Sequence, residues 1–370
     1  MRAVLRSPLV SLLLLLCAFE GAAAARTRLH RKSLVDRSPD EARVERVLQS
    51  LSLREKVGQL LLAYPQISKD GPVEAGGVLF VGPTLRKIHA AKVRIRSSRQ
   101  RAHIPPFFAV DIEGGSFNRL NRYPSIKDLP LARDMAALEE PVVEAWGVRV
   151  GKAMRAVGLN MNLAPVFDVS STGHMFRNGR SFSGDPEVVK KKATAFARGL
   201  MRAGVIAIGK HFPGYGDLDS DSDHEHATVD WDPERVRAQA SVFRAADPFL
   251  GGVMMSNIVY SKFGPKPAIL EPALVSLAHE NGWITITDDV AIQALAEQIG
   301  AEREEVVRQA FLAGNDLILT TEPPDWSGGL DYFGIITRLA ESDPKMAGQL
   351  DAAVRRVLRL KDRLGLLDKM

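Results

Sequence analysis

Apolar and polar positions alternate along this chain in blocks rather than residue by residue. Short runs rich in apolar or β-branched residues recur at Leu60–Tyr64, Gly77–Val81, Phe107–Val110, Leu159–Val166, Val205–Ile208, Gly252–Met255, Ile284–Ile286 and Leu317–Leu319. Continuous apolar runs, without the in-and-out alternation of a half-exposed strand, suit parallel strands buried on both faces. Leu159–Val166 is the exception, interrupted by Asn160 and Asn162. Between the runs, Pro141–Val157, Pro186–Ala203 and Pro233–Phe243 carry helical patterns and supply the crossovers. Another helix is expected over residues 40–53, from the spacing of Val44, Val47, Leu48 and Leu51. Eight strands interleaved with helices predict an α/β chain, a single-domain (β/α)8 TIM-type barrel. Gln349–Leu367 reads as a basic amphipathic helix whose default role is packing against that barrel.

The ends of the runs carry polar groups. Asp111 ends the third run and Asp168 follows the fourth; Lys210-His211 and Asn257 end the fifth and sixth. Asp288-Asp289 end the seventh, and Glu322 follows the eighth. The C-terminal ends of barrel strands share one mouth, where barrel active sites are built. For Asp168 and Asp289 alone, a helix cap is the simpler reading. Six strand ends arranged alike point to a site.

Composition adds location more than chemistry. With 45% apolar and 25% charged residues in 370, the chain has the material for a sizeable core. Arg2 and Arg6 precede the apolar run Pro8–Phe19, and small residues follow at 21–25, the pattern of a signal peptide cleaved near residue 25. The formal charge is +5; residues 1–25 hold two Arg and one Glu, so the remainder carries +4. Much of that excess lies in the flexible segment 26–39 and in Arg86–Arg101, read as solvated faces with no nucleic-acid partner. The single cysteine, Cys17, falls in the signal segment, so cysteine chemistry is absent from the exported chain. Lipid attachment at Cys17 is the lesser alternative, because Leu16 stands where a small residue is expected. The domain from residue 40 to 370 should then be periplasmic or secreted, without a membrane span.

Residues 209–230, GKHFPGYGDLDSDSDHEHATVD, gather six acids and three histidines. Asp217, Asp219 and Asp221 have calcium-like alternate spacing, but Ser222 and Thr228 stand where an EF-hand loop needs Gly and Glu. No metal or cofactor is expected. A solvated acidic loop competes with a catalytic one.

Three stretches carry a family resemblance: Ala109-Val110-Asp111-Ile112-Glu113-Gly114-Gly115, Lys210-His211-Phe212-Pro213-Gly214-Tyr215-Gly216 and Ile286-Thr287-Asp288-Asp289. Leu163–Val169 and Gly179-Arg180-Ser181-Phe182 support them. In this order, from about Leu51 to Leu319, they resemble glycoside hydrolase family 3, in its single-barrel β-N-acetylglucosaminidase branch. The resemblance implies a retaining glycosidase with Asp288 as nucleophile. It further implies a polar sugar-binding set of Asp111, Arg119, Arg180, Lys210 and His211.

The acid/base position is where the chain departs from the branch. The branch carries Asp-Ser-His after the FPGxG turn; here the text is Asp221-Ser222-Asp223-His224. Without a gap the histidine slot falls on Asp223, and one inserted residue restores it to His224. A His224 ring polarised by Asp221 is the favoured acid/base, with Asp223 as the alternative. Ser116 also stands where the branch has Arg, and Asn257 where it has His. Two-domain relatives take a glutamate acid/base from a second domain; the residues after Asp288 are needed to finish the barrel, so that route is not expected. The expected activity is release of terminal β-linked N-acetylhexosamine from a peptidoglycan- or chitin-type glycan by a monomer. The alternatives are a non-catalytic glycan-binding protein on the same barrel and a β-glucosidase.

Overall fold

A computed structural model describes residues 37–64, 75–321 and 331–370. The proposed signal peptide, Cys17 and Glu322 lie outside the described residues. Among the described residues there are ten strands: β1 Leu61–Ala63, β2 Gly77–Phe80, β3 Phe107–Val110, β4 Met161–Asn162, β5 Ile206–Phe212, β6 Thr228–Val229, β7 Leu250–Met255, β8 Val259–Tyr260, β9 Ile284–Thr287 and β10 Ile318–Thr320. Eight form one parallel sheet in the order β10-β1-β2-β3-β4-β5-β7-β9. A parallel bridge between Ile286 and Leu317 brings its two edges together into a nearly closed barrel. β6 and β8 pair separately, outside that ring.

The crossovers form where Pro and Asp punctuate the sequence. Helix Pro186–Arg202 starts behind Asp185, whose side chain accepts from the Glu187 amide, and helix Pro233–Arg244 starts behind Asp232 in the same way. Inside the ring, Leu62, Phe107, Met161, Ile206, Met254 and Ile284 make an apolar filling. The C-terminal helix runs Pro344–Arg363, five residues earlier at its start than the apolar spacing suggests, because Asp343 caps it. Its Val357 and Leu360 join the barrel's inner core, so this helix packs on the barrel. No helix among the described residues is long and apolar enough to cross a membrane.

Two strands differ from their apolar runs, and both differences bear on the mouth. β4 is only two residues long, and side-chain amides join the backbone in its bonding. Asn160 Oδ1 accepts from the Phe108 amide at 2.7 Å, and Asn162 exchanges two bonds with the Ile112 backbone at 2.9 and 3.0 Å. β5 continues past Ile208 to Phe212, with a register shift between Lys210 and Phe212. A bulge at that point re-aims side chains next to a mouth, here those of Lys210 and His211.

Candidate active site

The residues beyond β3 and those ending β5 meet in one charged cluster. Lys210 Nζ lies 2.7 Å from both Asp111 Oδ1 and Glu113 Oε1. Arg180 donates to the same Glu113 from Nε and a terminal nitrogen, at 2.8 and 2.9 Å. Burial would raise the Glu113 carboxyl, but the charges of Arg180 and Lys210 outweigh it and hold the group well below the usual carboxylate range. Burial likewise opposes charge on Lys210, yet Asp111 and Glu113 keep it protonated above the ordinary lysine value. Glu113 is thus the hub of the cluster, a role the sequence reading did not assign. Its signal was the placement three residues past the strand end, inside the quoted motif.

His211 is fixed from behind. Its Nδ1 lies 2.7 Å from Asp168 Oδ2, while Asp168 Oδ1 accepts the amides of His211 and Tyr215 at 3.1 and 2.9 Å. Asp168 is therefore a buried orienting group, not the helix cap that its position suggested. An Nδ1–H held by Asp168 leaves Nε2 as an acceptor, 3.4 Å from Arg180. Asp289 is not a helix cap either: the next helix, Gln293–Gln298, starts behind Ile292, and the Asp289 carboxylate instead takes the amides of Ala291 and Thr321 at 3.0 and 3.1 Å and the Thr321 hydroxyl.

Asp288 sits at the end of β9, half-buried, with Oδ1 accepting the Asp289 amide at 2.9 Å. Its carboxyl is pushed up to about 7, first by burial and then by the negative charge of Asp223; His211 and Lys210 act in the opposite direction. Two carboxylates thus act within one mouth, the charge of Asp223 disfavouring ionisation of Asp288.

The acidic loop is pinned, not freely solvated. Asp217 Oδ1 accepts the amides of Ser171, Thr172 and Gly173 at 2.6, 2.8 and 3.3 Å and the Ser170 hydroxyl at 3.0 Å. These donors overcome the cost of burial and hold Asp217 well below the usual carboxylate range. Arg177 pairs with Asp219. The Tyr215 hydroxyl accepts from the Ser222 amide at 2.8 Å and donates to the Ser220 carbonyl at 3.1 Å.

Asp221 and His224 are not brought together as a side-chain dyad. The Asp221 carboxylate lies 3.7 Å from His174 Nε2 and accepts the Asp223 amide at 3.2 Å. His224 meets Asp221 only through backbone, its amide donating to the Asp221 carbonyl at 2.9 Å. The His224 ring is exposed and makes no hydrogen bond or ion pair among the described residues. Asp223 is the residue whose charge reaches Asp288, Asp289, Arg180 and His174. Asp223 and His224 are both exposed, and it is the charge of Asp223, the ungapped position, that acts on the groups of the mouth. His174, which sequence reasoning did not single out, stacks at 6.3 Å on Tyr215 and flanks the loop.

Arg119 takes no part in the Lys210 cluster; it lines a neighbouring cavity with Ser116. Asn257 is buried, and both polar atoms of its side chain lack a partner among the described residues. Leucine is close to its shape, so Asn257→Leu should raise stability by about 1–3 kcal/mol, the cost of an unsatisfied buried amide. Urea midpoints would check this; a fall would mean that the amide is satisfied through solvent.

A barrel whose mouth holds a carboxylate pair beside buried lysine, arginine and histidine is the architecture of a glycosidase. Residues 52–360 match the glycosyl hydrolase family 3 N-terminal domain, and the chain belongs to that family of glycosidases. The β-hexosaminidase of Idiomarina loihiensis is 28% identical over 270 residues, 70% of this chain and 78% of that protein. That of Tolumonas auensis is 30% identical over 256 residues, 66% of this chain and 75% of that protein. The crystal structure of a β-N-acetylhexosaminidase from Beutenbergia cavernae superposes with a TM-score of 0.74 at 27% identity, covering 84% of this chain and 98% of that one.

Proposed function

We propose that the chain is a retaining β-N-acetylhexosaminidase that removes terminal β-linked N-acetylhexosamine from glycans of the peptidoglycan or chitin type. The observation that carries this reading is the Asp288 carboxyl within reach of the charge of Asp223, in a mouth that also holds Asp111, Lys210 and Arg180. Asp288 attacks the anomeric carbon as the bond to the leaving oxygen breaks, and Asp223 gives that oxygen its proton. Water then loses a proton to Asp223 while its oxygen takes the anomeric carbon from Asp288, restoring the starting configuration. Asp111, Lys210, Arg180 and His211 hold sugar hydroxyls, and Arg119 contributes from the edge. The hexosamine preference is supported by the names of the relatives above.

Proton NMR of the first-formed sugar tests the mechanism: the β-anomer is expected, and the α-anomer would overturn it. Faster turnover of 4-nitrophenyl β-glucoside than of the N-acetylglucosaminide would overturn the substrate class. Binding without turnover would leave a glycan-binding barrel. Export is proposed on the basic, apolar and small-residue order of residues 2–25. Mass spectrometry of protein from the native host should then find a form about 25 residues shorter; an intact cytoplasmic form beginning at Met1 would oppose it.

A further inference from the structure

Beside the catalytic mouth, the segments that follow β2 and β3 enclose a cavity of about 340 Å³, within the size of small-ligand sites, roughly 300–1,000 Å³. Arg86, Arg119 and Arg122 line it, and among the described residues no carboxylate does. None of the three makes an ion pair among the described residues. Like charges gathered around one space repel, and no acid among the described lining residues offsets them. The helix that starts at this cavity, Ile88–Arg101, adds Lys92, Arg94 and Arg96 on its exposed side and contains no acidic residue.

The backbone behind these arginines is held. Ile112 and Asn118 form an antiparallel bridge, and Asn118 Nδ2 donates to the Ile126 carbonyl at 2.6 Å while its Oδ1 accepts the Leu120 amide at 3.0 Å. The Arg119 stem crosses toward the β2 side, its Cδ 3.8 Å from where a side chain on Gly82 would begin. The backbone that carries Arg119 is thus held, while all three arginines stand exposed at the cavity, their forked donors matched to oxyanion geometry.

Strand order fixes which part of a substrate this cavity would meet. Around the ring β4, β5 and β7 separate β3 from β9 on one side, and β2, β1 and β10 separate them on the other. β3 therefore stands opposite β9, and the cavity stands across the mouth from Asp288. A sugar whose anomeric carbon faces Asp288 turns its far ring carbons toward the arginines.

We propose that this cavity binds an anionic substituent, a carboxylate or a sulfate or phosphate ester, on the end of the glycone remote from its anomeric carbon. The placement rests on the glycosidase reading with Asp288 at the anomeric carbon. It makes the natural substrate an acidic N-acetylhexosamine, not a neutral one.

The test has a binding arm and a turnover arm, each run on the parent and on the Arg86→Gln/Arg122→Gln protein. Calorimetry compares free N-acetylglucosamine with its 6-sulfate and with its 3-O-lactyl ether, which separates the sulfate from the carboxylate source. At least one acidic sugar should bind the parent about tenfold more tightly than the neutral one. Added salt should weaken that preference, and the double variant should lose it. The 4-nitrophenyl glycosides of the same sugars should show the same order in kcat/KM, with turnover of the neutral glycoside unchanged by the double substitution. Equal binding of neutral and acidic sugars by the parent, or a preference that survives in the double variant, overturns the proposal. Acid-selective binding with no turnover of any glycoside would support the cavity and instead defeat the enzymatic reading.

Discussion

Asp288→Asn should lower kcat by about four to six orders of magnitude, the range for removing a member of a catalytic set, and should give a protein more stable than its parent at pH 8. Both effects have one origin. The carboxyl stands half-buried beside Asp223, and its ionisation is disfavoured by that confinement and by the like charge. The sign follows from linkage. An aspartate titrates near 3.8 when unfolded and near 7 here, so below 3.8 the folded site pays nothing for it. The cost grows as pH rises between these values and is complete above 7. An amide removes the cost, worth on the order of 1–2 kcal/mol once discounted for an open mouth. Urea melts of parent and variant at pH 4 and pH 8 should therefore separate only at the higher pH. A fluorinated substrate analogue that slows release should label a peptide containing Asp288 in the parent. Labelling elsewhere, or undiminished turnover in the variant, would remove Asp288 from the nucleophile's role.

The same carboxyl explains what was legible in the sequence. The barrel was readable because buried parallel strands leave continuous apolar runs, and seven of the eight match their strands to within a few residues. The run at Leu159–Val166 is the least regular because its two asparagines look like interruptions while their side-chain amides reinforce the backbone bonding. Strand ends pointed to Asp111, Lys210, His211 and Asp288, since position alone brings such groups to one mouth. Glu113 and Asp168 were harder. Their work is to set the charge of Lys210 and the orientation of His211, and partners that distant in sequence leave no local pattern. The loop register could not be read at all from spacing. It depends on a turn fixed by Tyr215, Ser222 and the Asp217 clamp, which are contacts made only in three dimensions.

That turn makes the second large forecast, through alanine variants of Asp223, His224 and Asp221 assayed with two leaving groups. Asp223→Ala should lose about 10²–10⁴-fold with a poor leaving group, which must be protonated as it departs. With 2,4-dinitrophenol as leaving group the bond-breaking step needs no proton, and its loss should be small. His224→Ala should remain near the parent with both, since its ring has no partner in the site. Asp221→Ala should fall between them, because its carboxylate holds the Asp223 amide and lies beside His174. An exchange of the Asp223 and His224 effects would restore the histidine as acid/base, and equal small losses in all three would deny the loop any catalytic part. Asp223→Asn gives an independent readout on the activated substrate. Removing the charge that helps hold Asp288 near 7 should move the acidic limb of kcat/KM to lower pH. An unmoved limb would show that the two carboxylates do not act as a pair, however large the loss in rate.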